Sequence, residues 1–197
     1  MPKIVDRSEM QARIIGAGMA AFQRHGHAAT KMTDIAEEAG LAKGTLYLYF
    51  KSKEQLTLAL MQSLFAEWIA GLEGLPQPRN LEDFGAQVRS NVVLDADEQK
   101  GVRMFFEITS SGVGSDALLS AAAEFQDALG AFQADQLASL KDAGHIRQDI
   151  DVDAMGRTLA AMVDGLVIHR ALFVNDESRY RRMVDETIQL FLRGLQR

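Results

Sequence analysis

Apolar residues recur along most of the chain at the three- and four-residue spacing of helices, and no stretch alternates convincingly in the manner of a strand. Met10, Ile14, Ala17, Ala21 and Phe22 share one face of a first helix. A Ser8–Gln11 capping pattern opens it and Gly26 closes it. Two short helices are predicted next, one from about Met32 to Ala39 ending at Gly40, one from about Gly44 to Phe50. Ser52, again with a capping partner at Gln55, begins a long helix that runs through Leu56, Leu60, Leu64, Trp68 and Leu72 until Pro76 and Pro78 stop it. Further helices are expected at about 81–96, 98–110, 116–143, 152–174 and 177–194, with breaks at Ser111 to Ser115 and Gly144 to Asp151. The pattern predicts an all-α protein: a three-helix head and a larger helical bundle. The Gly74 to Asn80 stretch looks like a linker, but the helix from Ser52 is continuous, so the boundary is placed near Lys51 to Lys53. That gives a head at residues 1–52 and a body at 53–197.

Composition agrees with helices. Three prolines in 197 residues, 47% hydrophobic and 24% charged residues describe a globular chain able to build a core. With no cysteine there is no disulfide framework, thiolate nucleophile or cysteine zinc site. Met1 to Arg13 carries no apolar stretch of the kind a signal peptide needs. The most apolar segment, Leu159 to Val174, is interrupted by Asp164, His169 and Arg170 and is too short to span a bilayer. A cytoplasmic protein with no membrane partner is expected.

Charge changes the picture more. The net charge of −6 argues by itself against a polyanion ligand. Residues 1–53, however, hold eight basic and five acidic residues, a net of +3, leaving −9 on the remainder. A basic head on an acidic body suggests that one end alone meets a polyanion.

The stretch MTDIAEEAGLAKGTLYLYFKSK, Met32 to Lys53, carries the candidate chemistry. Two short helices crossing at a tight turn need a small residue in the first, a glycine in the turn and an aliphatic plug in the second. Ala36, Gly40 and Leu46 supply them, with Ile35, Ala39, Leu41 and Tyr49 available to complete a small core. Such a pair is a helix-turn-helix, whose second helix enters the major groove. Ala-x3-Gly-x5-Leu alone also fits an ordinary helical hairpin. The surroundings favour DNA: Lys43, Thr45, Tyr47, Lys51 and Lys53 are donor types that meet phosphate oxygens.

From Phe22 to Leu56 the chain resembles the DNA-binding head of the TetR family of repressors. The resemblance is carried by Phe22, Gly26, Thr30, Ile35, Ala36, Ala39, Gly40, Lys43, Gly44, Thr45, Leu46, Tyr47, Tyr49, Phe50, Lys53 and Leu56, with KGTLYLYFKSKEQL its most specific piece. It implies an N-terminal helix-turn-helix head and a C-terminal helical bundle for ligand binding and dimerisation. It also implies that Tyr47 and Lys53 hold the phosphate backbone, that Lys43 and the Gly44 amide stand at the start of the recognition helix, and that Thr33, Thr45 and Tyr49 are candidates for groove contact. Tyr49 and Phe50 suit the core or packing against the long helix better than contact with DNA, whereas Tyr47 is expected to be exposed. Lys31 departs from the family, which commonly has serine or threonine there. Lysine cannot cap a helix, so Thr30 or Thr33 is expected to do so, leaving Lys31 for a phosphate.

One head makes few phosphate contacts, which points to a two-fold dimer on a palindromic DNA operator. The last two helices are the candidate seam: Leu159 to Phe173, with Ala160, Ala161 and Gly165 allowing close approach, and Met183, Ile188, Leu190, Phe191, Leu192 and Leu195. The same residues suit a monomer core. The family also takes small-molecule effectors, and the body's clustered Phe and Met residues supply pocket candidates: Met61, Phe65, Trp68, Phe84, Val88, Met104, Phe105, Phe106, Ile108, Phe125 and Phe132. Taken singly, each suits a filled core. Asp164, His169 and Arg170 either orient a polar group of the effector or form pairs at the dimer interface.

Enzyme chemistry finds little support. Gly112-x-Gly114-x-x-Ala117 has no preceding strand, Gly16-x-Gly18 lies inside a helix, and His25 and His27, read as exposed, are too few to hold a metal. No cofactor is expected. A DNA-binding architectural factor, or a helical binding module without DNA, keeps the fold but loses the regulation. Steep salt dependence of DNA binding separates the readings.

Overall fold

The computed structural model describes residues 7–110, 116–174 and 176–196, and within them every regular element is an α-helix. In chain order these are α1 (Arg7–His25), α2 (Met32–Glu38), α3 (Lys43–Tyr49), α4 (Lys53–Glu73), α5 (Leu81–Val92), α6 (Ala96–Ser110), α7 (Asp116–Asp142), α8 (Val152–Leu172) and α9 (Glu177–Leu195). The expected break at Ser111 to Ser115, and with it the Gly112–Gly114 pair, lies outside the described residues. No helix among the described residues is long and apolar enough to cross a membrane.

Helix ends follow their caps. Ser52 Oγ accepts from Gln55 N at 3.2 Å, while the Gln55 side chain turns back one residue further than expected and accepts from Lys51 N at 2.7 Å. Asn80 caps α5, Asp151 α8 and Asp176 α9. Several boundaries differ from expectation: α6 begins at Ala96 rather than 98, and α8 ends at Leu172 rather than 174. α1 already includes Arg7, so Ser8 lies inside it. α5 stops at Val92 rather than running to 96, because Asp95 is a cap and not a helical residue. Its Oδ1 accepts from Asp97 N and Glu98 N, and Glu98 Oε2 accepts from Asp95 N at 2.7 Å.

The described residues divide into two compact units. One runs to Glu67 and takes in the Met104–Ala122 segment; the other comprises Trp68–Arg103 and Ala123 onward. In the first, Ile14, Phe22, Ile35, Leu46, Leu56, Leu60 and Met61 form a buried interior. In the second, Phe84, Val88 and Val92 of α5 pack with Leu137 and Leu140 of α7, Leu159, Val163 and Leu166 of α8, and Val184, Ile188 and Leu195 of α9. Each such side chain contributes about 1.5–3 kcal/mol by leaving water. Tyr180 joins this cluster, and its hydroxyl lies within hydrogen-bond reach of the Val92 (2.9 Å) and Leu166 (3.2 Å) carbonyls. Burial pushes that phenol up to about 12.

Candidate nucleic-acid interface

The turn between α2 and α3 is built as its sequence suggests. Gly40 takes φ +63°, its N–H reaches Glu37 O, and Leu41 N reaches Ala36 O at 2.8 Å, the paired bonds of a Schellman ending. A side chain with a Cβ would be strained at that φ. Ala36 and Leu46 are both buried, so the small residue and the plug meet in one interior. At the end of α1, Gly26 (φ +80°) donates to Phe22 O at 2.8 Å and turns the chain toward α2.

No threonine caps α2. Thr30 Oγ1 donates backwards to Gly26 O at 2.8 Å, with Ala21 O also within reach at 3.3 Å, and Thr33 Oγ1 donates to Asp34 Oδ1. The cap position is Lys31, which has no acceptor in its side chain. Asp34 supplies the missing half by accepting from Lys31 N at 2.9 Å, leaving the Lys31 side chain exposed.

Around α3 the candidate donors surround one outward side. Lys43 and Gly44 are exposed, and Thr45, Tyr47 and Tyr49 are half-buried. Tyr47 is thus less open than expected, while Phe50 is buried and Tyr49 is not. Lys43 Nζ stands 5.9 Å from the Tyr47 ring centroid, and Lys51 Nζ donates to Tyr47 O at 2.9 Å. A cleft between α1 and α2 is unsuited to phosphate. Asp34, Glu37 and Glu38 line it, and Arg24 Nη1 there is already paired with Glu38 Oε2 at 2.6 Å.

Two residues occupy places that the sequence did not suggest. His27, read as exposed, is buried: its ring meets Phe22 edge-on at 4.8 Å and its Nε2 lies 3.1 Å from Thr57 Oγ1. Burial, reinforced by the Lys53 charge, pushes this imidazole below its ordinary value, so it is neutral at pH 7. Lys53 is a brace. Its ammonium donates to His27 O at 2.9 Å and Thr30 O at 3.1 Å and approaches Ala28 O at 3.5 Å, tying the start of α4 to the loop between α1 and α2. Glu107 of α6 also meets that loop, its Oε1 accepting from Ala28 N at 3.2 Å. An ammonium has three donors, and here carbonyls take them up. Lys53→Met is therefore expected to cost about 1–3 kcal/mol of stability and to leave the salt slope of DNA binding unchanged. Removing a lysine that held a phosphate would instead lower that slope by about one, a difference that titrations at several salt concentrations measure.

A family profile described as "Bacterial regulatory proteins, tetR family" matches residues 14–60. A second, "BetI-type transcriptional repressor, C-terminal", matches residues 81–193, more than half the chain. The chain belongs to the TetR family. Its members are DNA-binding transcriptional regulators rather than enzymes. TtgR of Pseudomonas putida, an HTH-type transcriptional regulator, is 42% identical over 59 residues, 30% of this chain; the chain thus spans only 28% of that relative's length. PksA of Bacillus subtilis (strain 168), also an HTH-type transcriptional regulator, is 26% identical over 179 residues, 87% of this chain and 83% of PksA. A TetR transcription regulator from Haloarcula marismortui ATCC 43049 superposes with a TM-score of 0.82 at 16% identity, over 96% of this chain and 100% of its own. That likeness is one of fold.

The body candidates of this TetR-family chain separate on burial. Phe84 and Val88 belong to the packed cluster of the second unit, and Met61, Phe65, Met104 and Ile108 are buried in the first, with Phe65 against Phe105 at 5.9 Å between centroids. Phe105 is itself half-buried, as are Trp68, Phe125 and Phe132 of the second unit, where the Trp68 and Phe125 rings lie 5.7 Å apart. Of the polar residues on α8, Arg170 pairs with Glu177 at 2.8 Å and lies over the Tyr180 ring, within its own chain. Asp164 bonds the Gln126 side chain and its pKa is raised by burial.

Proposed function

We propose that the chain is a cytoplasmic, ligand-responsive repressor that binds a palindromic operator as a homodimer. Residues 1–52 form the reading head, and residues 53–197 form the domain that dimerises and binds the effector. The supporting observation is a pair of partly exposed stripes on the last two helices, of which Met183 also packs against the core of its own chain. On α8, Ala161, Gly165, Ile168 and Leu172 are spaced by four, three and four residues, and none is buried. On α9, Met183, Thr187, Leu190 and Gly194 repeat the spacing, with Leu190 74% exposed. Nothing lies within 4 Å of where a Cβ would stand on Gly165 or Gly194. Heptad-spaced small and apolar positions are what a four-helix seam between two copies requires. The description of the C-terminal profile as a repressor supports repression.

The head binds through Lys31, Thr33, Lys43, Gly44, Thr45, Tyr47 and Tyr49. Lys53 acts chiefly by holding the head in shape. The half-buried rings of Trp68, Phe125 and Phe132 are the preferred effector contacts, since rings already sealed in a core have no free surface to offer. α4 is one unbroken helix from Lys53 to Glu73, so an effector that moves Trp68 also moves the residue that braces the α1–α2 loop. Selection of bound sequences from random duplex DNA tests the proposal. The expected result is an inverted repeat, bound with steep salt dependence and about tenfold or more weaker by the Tyr47→Ala protein. Enrichment of nothing, by a folded protein at low salt, would refute it.

A further inference from the structure

α3 presents one large apolar side chain to solvent. Leu48 is 68% exposed, although both neighbours, Tyr47 and Tyr49, are half-buried. Its direction follows from the helix. At about 100° per residue, Leu48 stands roughly 160° around the axis from Leu46, which is fully buried. Gly44, one turn before Leu48, is exposed with open space where a Cβ would stand. Leu48 and Gly44 therefore straddle the direction pointing straight away from the interior, with Gly44 letting the backbone come close to whatever lies there.

A leucine in that place cannot serve a phosphate. It has no donor, and facing a polar base edge it would strip water from that edge without replacing the hydrogen bond. The apolar feature that the major groove offers is the C5-methyl of thymine. The donors around Leu48, Lys43 and Tyr47 on one side and Lys51 beyond the end of the helix, suit the phosphates that flank such a base.

We propose that Leu48 is a specificity-determining residue that packs on a thymine methyl in each half-site. The assignment rests on DNA binding by this head, and its test separates the two. Bound sequences are first selected from random duplex DNA with the full-length protein. Each thymine of the consensus is then replaced in turn by deoxyuridine, which removes the methyl and keeps every hydrogen-bonding group. Affinity of the unaltered protein is expected to fall about three- to fivefold at one position per half-site, the size of one buried methyl group. The Leu48→Ala protein is expected to bind the thymine and uracil versions of that position equally. Because Leu48 is mostly solvated, that variant keeps the native circular dichroism spectrum and melting temperature. A consensus with no methyl-sensitive thymine, or one whose methyl sensitivity survives in Leu48→Ala, overturns the assignment and leaves DNA binding standing. Failure to obtain any consensus overturns both.

Discussion

Replacing Leu190 by glutamate is expected to turn a dimer into monomers and to weaken binding to an inverted-repeat site about a hundredfold or more. The side chain is 74% exposed in the isolated chain, so a carboxylate there meets water and costs the fold little. In a two-fold seam the same position occurs twice, once from each copy. Two carboxylates would then be drawn out of water against apolar neighbours with no partner, which costs several kcal/mol. The loss of DNA affinity follows from geometry: one head binds alone, without the effective concentration that a tethered second head provides. Sedimentation velocity measures the first effect and fluorescence anisotropy on a labelled duplex the second. An unchanged melting temperature of the dilute chain shows that the defect lies in assembly. A Leu190→Glu protein that remains dimeric places the seam elsewhere.

Gly156→Ala is expected to destabilise the chain by about 3 kcal/mol or more, at the upper end of overpacking effects, and to lower its melting temperature by roughly 6–12 °C. A Cβ at Gly156 would stand 2.5 Å from Ala134 N, 2.7 Å from Gly130 O and 2.8 Å from Ala134 Cα. All three are backbone atoms of α7, which no rotamer change can move aside. α8 must therefore lift off α7 at this crossing, disturbing the adjacent packing of Leu159 and Leu137. The matching change at Gly71 has the opposite sign. Gly71 lies inside α4 with nothing near the Cβ position, so alanine there should gain about 0.5–1 kcal/mol from helix propensity. Thermal or urea unfolding of the two variants side by side separates close approach from glycine's intrinsic cost.

Helix periodicity and the Ala36–Gly40–Leu46 spacing were readable because they are local: each depends on residues within a turn or two of one another. The Asp95–Glu98 capping box was equally local, and two acidic residues three apart before an apolar run were the signal that could have ended α5 at Val92. Leu48 is legible too, since a helical wheel centred on Leu46 points it outward, although it carries no donor to mark it as a DNA contact. Lys53 and His27 were not legible. A lysine beside a recognition helix reads as a phosphate ligand, and the sequence does not reveal that the chain also folds the Thr30 and His27 carbonyls against it, across more than twenty residues. His27 looks like a surface residue after a helix end, and only the approach of Thr57 and Phe22 buries it. Gly156 sits in a helix with no special backbone angle, so its role lies wholly in the neighbour it touches.

The most direct test of the account is the mass of the complex formed on a selected duplex, measured by sedimentation equilibrium across a protein titration. Two chains per duplex at saturation, with the site read as two inverted halves, is the predicted result. A single chain that saturates the duplex at full affinity would contradict it.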